Sequence, residues 1–362
     1  MLQSENRITI RQTIIIFIIT TLSPAIRVFP AVCSEIAGVA SWLAPFFGAL
    51  GLYLLIWVLG HFFKSETFAD LGEVYDAAMG KFGGVIMRIL YLAWSVILFL
   101  FYTRYYAERL VVSIFKNTDM RFFIAVLMII VFIAIRGKIE TFARFCEIAI
   151  LLLNIVMVVF FIFLLPSVRI EHLFPITYHD LFPTIKSAYP VLSIWVYITF
   201  VMFLGKYIKN KNQFAVYRRN GILFLSAITT GMLVFVIGTL GHKTASRMSL
   251  PFFSANKMIV FMESLDRFES ILLSVWVISD FIIITLFALV VMHIAKSLFR
   301  LTTPKYLSFP LALAGYFGSL RLVQNRFELE AFSNYIGLHI NFILGFILPL
   351  LVFGIGKLRK KF

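Results

Sequence analysis

Cysteine, histidine and acidic residues are scarce in this chain, and each shortage removes a class of explanation. Only two cysteines occur in 362 residues, Cys33 and Cys146. Both lie within or at the edge of apolar stretches, poor ground for a disulfide framework or a thiolate metal site, so they read as structural thiols. The six histidines sit on separate segments, which leaves no imidazole cluster for a metal. Charged residues make up 14% of the chain, against roughly 25% in a soluble domain. Gly-x-x-x-x-Gly-Lys-Ser/Thr, His-Glu-x-x-His and Gly-x-Ser-x-Gly are all missing. Without a clustered catalytic set, neither an enzyme nor a cofactor is expected.

What fills the chain instead is apolar. Hydrophobic residues reach 61%, above the roughly 45–50% of soluble proteins. The expected class is an all-α polytopic membrane protein: one domain over residues 1–362, with no soluble part. Met1 to Asn6 is polar and no small-residue cleavage site follows the first apolar run, so a removable signal peptide is not expected. Apolar windows place ten spans: Ile10–Ala37, Trp42–Leu59, Val85–Phe115, Phe122–Ile135, Phe145–Leu165, Ala188–Leu204, Ile222–Leu240, Phe268–His293, Tyr306–Leu320 and Tyr335–Gly356. The fourth offers only about 21 Å of helix against a hydrocarbon core of about 30 Å. Arg121 and Arg136 bracket it and can snorkel outward.

The net charge of +15 is spread over loops and no recognition motif carries it, so nucleic acid is not the expected partner. Topology explains it better, because Lys and Arg collect in cytoplasmic loops. With ten spans and the N-terminus inside, the densest basic loop, Lys206 to Arg219, falls on the inner side and both termini are cytoplasmic. Deleting the fourth span would put that loop on the wrong side. Two outer loops are long. Gly241 to Arg267 carries Pro251, Phe252, Phe253 and then Met258 to Met262, read as a short amphipathic helix that is a lid, a docking surface, or simply a helix at rest on the interface.

The first span is the one the rest is organised around. Its apolar run from Thr13 to Leu22 meets Ser23, Pro24, Ala25, Ile26, Arg27, Val28, Phe29 and Pro30. Two prolines remove backbone donors, and a helix unwound at bilayer depth must face protein or a wet cavity. Arg27 facing lipid would cost at least about 2.5–3.5 kcal/mol, so it is expected to point inward. Two readings stand. Either the helix breaks, and its second half with Ser23, Ala25 and Arg27 receives an anionic group, or a proline kink carries an arginine paired to a structural acid.

The sixth span answers it with Pro190 and the patch Ser193, Ile194, Trp195, Val196, Tyr197, Ile198, Thr199. Interrupted segments at matching places in two halves point to the site of an inverted-repeat transporter. The expected repeats run over about residues 8–165 and 187–356, with broken helices 1 and 6 in the manner of LeuT. Asp280 lies mid-depth in the eighth span beside Trp276 and must pair, be protonated or face water. Arg27 and Arg104 are its candidate partners; it is either a proton- or ligand-sensitive acid or half of a buried ion pair. On the third span, Tyr102 and Tyr105 flank Arg104, whose i, i+4 neighbour is Glu108: an outer vestibule wall or a binding contact. Arg144 and Glu147 read as an interfacial pair, with Glu147 a second candidate for ion coupling beside Asp280, and His339 and Asn341 as lone polar residues. The candidate ligand contacts are therefore Ser23, Ala25, Arg27, Tyr102, Trp195, Tyr197, Thr199, Trp276 and Asp280, in a cavity between spans one, three, six, eight and ten.

Several stretches together match a known family. They are Ile10-Arg11-Gln12, Ser23 to Pro30, Phe63-Lys64-Ser65-Glu66-Thr67, Met79-Gly80-Lys81-Phe82-Gly83, Arg104 to Glu108, Arg144 to Glu147, and Pro251 to Ile259 leading to Leu265-Asp266-Arg267-Phe268-Glu269 and Trp276. Their order and spacing resemble the B subunit, or spore permease, of the bacterial endospore germinant receptors, in the amino acid, polyamine and organocation transporter superfamily. The resemblance covers nearly the whole chain. It implies two inverted five-helix repeats in the inner membrane of the spore, A and C subunits as partners, and a nutrient germinant such as an amino acid as ligand. The alternative is a proton-coupled amino acid permease of the same superfamily. Ser23-Pro24-Ala25 stands where that family has its glycine-containing break, and Asp266 where it usually has glutamate.

Overall fold

The computed structural model describes residues 6–63, 67–113, 115–257 and 266–361. The runs Lys64 to Glu66 and Met258 to Leu265 lie outside them, so most of the amphipathic outer-loop stretch does too. The chain begins with a two-residue strand, β1 (Ile8–Thr9). Helix α1 (Ile10–Ala37) follows, opened by a capping box: the Thr9 hydroxyl accepts from the Gln12 amide while the Gln12 side chain accepts from the Thr9 amide. A tight 3-10 segment (Gly38–Leu43) turns the chain into α2 (Ala44–Phe62). Next come α3 (Leu71–Ser113), α4 (Met120–Arg136) and α5 (Ile139–Leu164).

The second half opens with α6 (Leu181–Trp195) and α7 (Tyr197–Val201), which winds into a 3-10 turn over Met202–Tyr207 and then β2 (Ile208–Lys209). Then follow α8 (Phe214–Leu240), the short α9 (His242–Ala245) and α10 (Pro251–Asn256), α11 (Asp266–Phe299) and α12 (Ser308–Leu322). The last rod is composite: α13 (Arg326–Ala331), a π-helical stretch (Phe332–Gly337), α14 (Leu338–Phe342), a second π stretch (Ile343–Ile347) and α15 (Leu348–Leu358).

Seven helical blocks are long and apolar enough to cross a membrane. The first contains both α1 and α2, while α4 and α12 are shorter apolar rods of 17 and 15 residues. Counted so, the described residues form the ten rods read from the sequence. Burial sorts them. The α6–α7 rod is almost wholly enclosed, α1 and α11 are buried on most sides, and α5 is mostly open. A helix apolar all round belongs inside, and one exposing an apolar stripe faces lipid. On α5 that stripe is Ile148, Leu151, Ile155 and Ile162, at helical spacing. The central rods pack α1 on α6, α8 and α11, and α3 on α11. Parallel pairing of β1 with β2, Ile8 opposite Ile208 and Thr9 opposite Lys209, ties the start of α1 to the end of the sixth span.

The structure corrects two expectations about broken helices. The first span does not unwind: α1 is helical through residues 23 to 27 with Pro24 and Pro30 inside it. Prolines are tolerated within a spanning helix when hydroxyls and neighbouring helices take up the freed backbone groups. The carbonyls left without a helical donor are those four residues back, Thr20 and Ile26. Just before them the Ser279 hydroxyl of α11 donates to the Ile19 carbonyl at 3.0 Å, and the Thr20 and Thr21 hydroxyls bond back to the Ile16 and Ile18 carbonyls at 2.6 and 2.7 Å, which ties this part of the span to its neighbours. The sixth span is interrupted only at Val196, whose φ −67° and ψ −5° stay helical, so it changes pitch without opening into a loop. The residue that leaves helical geometry is Gly80 in α3 (φ 81°, ψ 167°), which divides an approach segment from the spanning rod. Only glycine adopts that conformation without strain.

Candidate ligand-binding site

Arg27 points inward, as the sequence requires, onto aromatic faces. Its guanidinium carbon lies 3.7 Å from the centroid of the Tyr105 ring and 5.6 Å from that of Phe101, and Nη1 donates to the Ser333 hydroxyl at 3.3 Å. Among the described residues no carboxylate forms an ion pair with it. The other two arginines at this level are both paired: Arg104 with Glu108 at 3.3 Å, and Arg109 with Asp280.

Arg27 lines three neighbouring spaces. The outermost, about 150 Å³, is walled by α1 (Arg27, Ala31, Glu35), by Tyr105 of α3, by Ser246 to Ser249 between α9 and α10, and by Glu330 and Asn334 at the start of the last rod. A second, about 20 Å³, adds Glu108, Arg109 and Arg326. The deepest, about 10 Å³, lies among Phe101, Tyr102, Tyr197, Phe332 and Asn341, and a void of that size is at the threshold for a single water. Room for a small molecule is therefore at and beyond Arg27. The wall offers both signs of charge: Arg27 and Arg247 against Glu35 and Glu330, the last held by Arg326 at 3.0 Å.

Below that void the expected contacts are packed together. Tyr102 and Tyr197 share a hydroxyl–hydroxyl bond of 2.5 Å; Asn341 donates to the Tyr197 hydroxyl at 3.0 Å and accepts from the Trp94 indole at 2.8 Å. The Thr199 hydroxyl donates to the Gly345 carbonyl at 2.7 Å and the Tyr91 hydroxyl to the Leu344 carbonyl. Both carbonyls lie in the second π-helical stretch, Ile343–Ile347, where the backbone ladder runs i to i+5, and the hydroxyls bond to it from the sixth and third spans. Trp195 is fully buried, edge-on to Phe29 at 6.5 Å.

Ser23, Trp276 and Asp280 form a second buried group. The Ser23 hydroxyl donates to Asp280, the Trp276 indole donates to Ser23 at 3.0 Å, and the Arg109 guanidinium lies 4.1 Å from the Trp276 ring centroid. So Asp280 is paired, but with Arg109, and neither Arg27 nor Arg104 is its partner. Ala25 is buried on the same turn as Ser23. Glu147 lies apart: it accepts from Gln12 at 3.2 Å, and Arg144 reaches Glu140 at 2.5 Å instead of Glu147.

The expected residues thus fall into three places: Arg27 in the open cavity, Tyr102 and Tyr197 around the small void beneath it, and Ser23, Asp280 and Trp276 in a closed cluster. The eighth span also reaches the tyrosine pair, where Phe287 stacks on Tyr102 at 5.9 Å and meets Tyr197 edge-on at 5.3 Å, while among the described residues the spaces around Arg27 are walled by other elements. Sequence reading missed Arg109, although Tyr102 and Arg109 are seven apart on one face of α3. It missed Glu330 and Ser333 as well, in the charged stretch that opens the last rod.

Among the described residues the chain is an apolar ten-rod bundle with a mixed-charge cavity between its first, third and last rods, the fold of a membrane transporter. The structure superposes on the substrate-bound, outward-open state of a Na+-coupled sialic acid symporter with TM-score 0.65, covering 98% of this chain and 90% of that one at 13% sequence identity. Residues 7–326 match the family model described as "Spore germination protein", and the chain belongs to that family of spore permeases. It is 23% identical over 366 residues to spore germination protein KB of Bacillus subtilis (strain 168), covering 99% of this chain and 96% of that protein. The protein is accordingly a multi-pass membrane protein of the germination permeases, a family of permeases and not of enzymes.

Proposed function

We propose that this chain is the nutrient-sensing, permease-like B subunit of a spore germinant receptor, with an amino acid as its germinant. It works in the spore inner membrane with A and C subunits, has both termini in the cytoplasm, and is built of two inverted repeats over about residues 8–165 and 187–356. The observation that carries the reading is Arg27: an intramembrane guanidinium with no ion-pair partner among the described residues, held by aromatic rings at the wall of a cavity. A free α-carboxylate is the natural partner for such a group. Glu35 and Glu330 on the same cavity wall supply anionic charge for an α-ammonium group. In this reading the amino acid meets Arg27 first, and Tyr102, Tyr197, Trp195 and Thr199 line the deeper position reached when the packed floor opens. Ser23, Ala25, Trp276 and Asp280 hold the far wall.

A second reading, a proton-coupled amino acid permease with Asp280 or Glu147 as the titrating group, is favoured by the fold shared with a symporter. Two assays separate them. Spores lacking this chain, tested against a nutrient panel, should lose the response to a specific set of amino acids, while the purified chain in proteoliposomes takes up none of them. Uptake driven by a proton gradient would transfer the assignment to the permease.

A further inference from the structure

The sixth span is the most enclosed rod of the bundle, yet its first two turns are open. The 3-10 turn Tyr178–Asp180 runs directly into α6, and Tyr178, Leu181, Phe182 and Ile185 follow at i, i+3, i+4 and i+7, the spacing of a single helical face. That face is bare: the four side chains are 82, 56, 75 and 47% exposed. The other side of the same turns is fixed. Thr184 and Ser187 are buried, their hydroxyls donating to the Asp180 and Thr184 carbonyls at 2.6 and 2.8 Å, and the Thr177 amide donates to the Asp180 carboxylate at 2.8 Å. The stretch leading in repeats the arrangement. Ile170 and Phe174 are exposed, while Leu173 is buried and the Arg169 amide and the His172 ring both donate to the Gly238 carbonyl at 2.9 Å.

An apolar face left open in this way marks a contact, and length decides where it lies. Tyr178 to Tyr207 is 30 residues of nearly continuous helix. At 1.5 Å per residue that is about 45 Å, against about 30 Å of hydrocarbon and about 40–45 Å once the headgroup layers are included. The first two turns therefore fall in the headgroup layer at the cavity end of the bundle. Composition agrees, because amphipathic aromatic rings collect at that level. Tyr178 adds a hydroxyl, and the exposed His179 and Lys186 set polar heads beside the apolar face. On α5 the lipid-facing stripe runs through Ile162 to Leu165, just before this stretch begins, so the face continues a surface already turned to lipid.

We propose that Tyr178, Leu181, Phe182 and Ile185, with Ile170 and Phe174 before them, form an interfacial anchor: a face that binds the headgroup layer of the bilayer and holds this end of the sixth span there.

The test introduces one cysteine at a time into the full chain, as Y178C, F182C or, for a solvent reference, T244C at an exposed position of α9. Cys33 and Cys146 are both buried, so a thiol-reactive nitrobenzoxadiazole dye takes the new site, and the unsubstituted chain gives the background. In phosphatidylcholine nanodiscs, which leave both faces open to solutes, quenching by iodide is compared with quenching by nitroxide lipids labelled near the headgroup or at the chain end. An aromatic side chain favours apolar surroundings over water by about tenfold or more, so iodide should quench the dye in Y178C and F182C at least about fivefold less than in T244C. The nitroxide near the headgroup should quench both more strongly than the one at the chain end. Iodide quenching equal to that of T244C would overturn the proposal by standing the face in water. Weak quenching by iodide and both nitroxides would overturn it too, since a protein surface would then cover the face. Stronger quenching from the chain end would contradict the interfacial position and place the face in the hydrocarbon.

Discussion

Neutralising one partner of the Arg109–Asp280 pair should be far more damaging than neutralising both. The two side chains are about 5% exposed, and Asp280 also accepts from Ser23 while Arg109 lies over Trp276. In Asp280→Asn the guanidinium loses the one carboxylate it has among the described residues; in Arg109→Met the carboxylate keeps, of its described partners, the Ser23 hydroxyl. Breaking a buried pair from one side costs about 3–5 kcal/mol, because the remaining charge is left uncompensated. Each single variant should therefore unfold roughly 5–15 °C below wild type. The double variant R109M/D280N leaves no buried charge, and the amide oxygen it introduces still accepts from Ser23. It loses the cation–π contact, worth about 1–2 kcal/mol, and little else. Additive singles would predict a loss of about 6–10 kcal/mol; the expected loss is about 1–3 kcal/mol, a coupling of at least about 3 kcal/mol. Thermal unfolding of the four proteins in one detergent measures it. Strictly additive losses would refute the pairing and with it the closed cluster.

Three further outcomes follow from the same geometry. Gly345→Ala drives a Cβ into the Val196 side chain, so the last rod must move off the junction of the sixth span. A loss of about 1–3 kcal/mol is expected, and a variant as stable as wild type would show that the two rods are not in register there. Gly80→Ala has open space for its methyl group but must hold φ at 81°. Its cost of about 1–3 kcal/mol is purely conformational, and no loss on unfolding would mean that α3 runs straight through. Burial raises the Asp70 carboxyl, but His293, Lys206 and the Glu73 amide outweigh it and hold the group below the usual carboxylate range. A depressed folded pKa gives stability that is full above the ordinary carboxylate value and drains away as pH falls through the folded one. Asp70→Asn should thus be less stable than wild type at pH 7, by about 1–3 kcal/mol, and the two should converge toward pH 3; parallel pH curves would contradict this.

Much of the fold was legible because apolar runs of the right length have few alternatives in a membrane. The bounds of α1 fall where the apolar window placed them, and its Thr9–Gln12 cap is a local signal. What could not be read were features decided by partners far along the chain. Prolines 24 and 30 look like a break in sequence, yet α1 stays helical through both, packed between α6, α8 and α11. The π-helical stretches of the last rod carry no composition signature at all; in the second of them the Thr199 and Tyr91 hydroxyls, far off in the chain, donate to the Gly345 and Leu344 carbonyls. At the site, the inward direction of Arg27 followed from the cost of facing lipid, and Tyr102 beside Tyr197 from polar residues in apolar helices. The choice of Arg109 over Arg27 for Asp280 depends on how α1, α3 and α11 cross, which a single sequence does not encode locally.

The central claim is that Arg27 supplies the charge an amino acid's carboxylate meets. The measurement that tests it is the germination response to the nutrient panel of spores carrying wild type, Arg27→Ala or Arg27→Lys, with protein abundance in the spore membrane measured alongside. The account predicts a response lost by at least about 100-fold in nutrient sensitivity for alanine, from a charge-assisted contact of about 3 kcal/mol, and partly kept for lysine, at unchanged abundance. A full response from Arg27→Ala spores would contradict it.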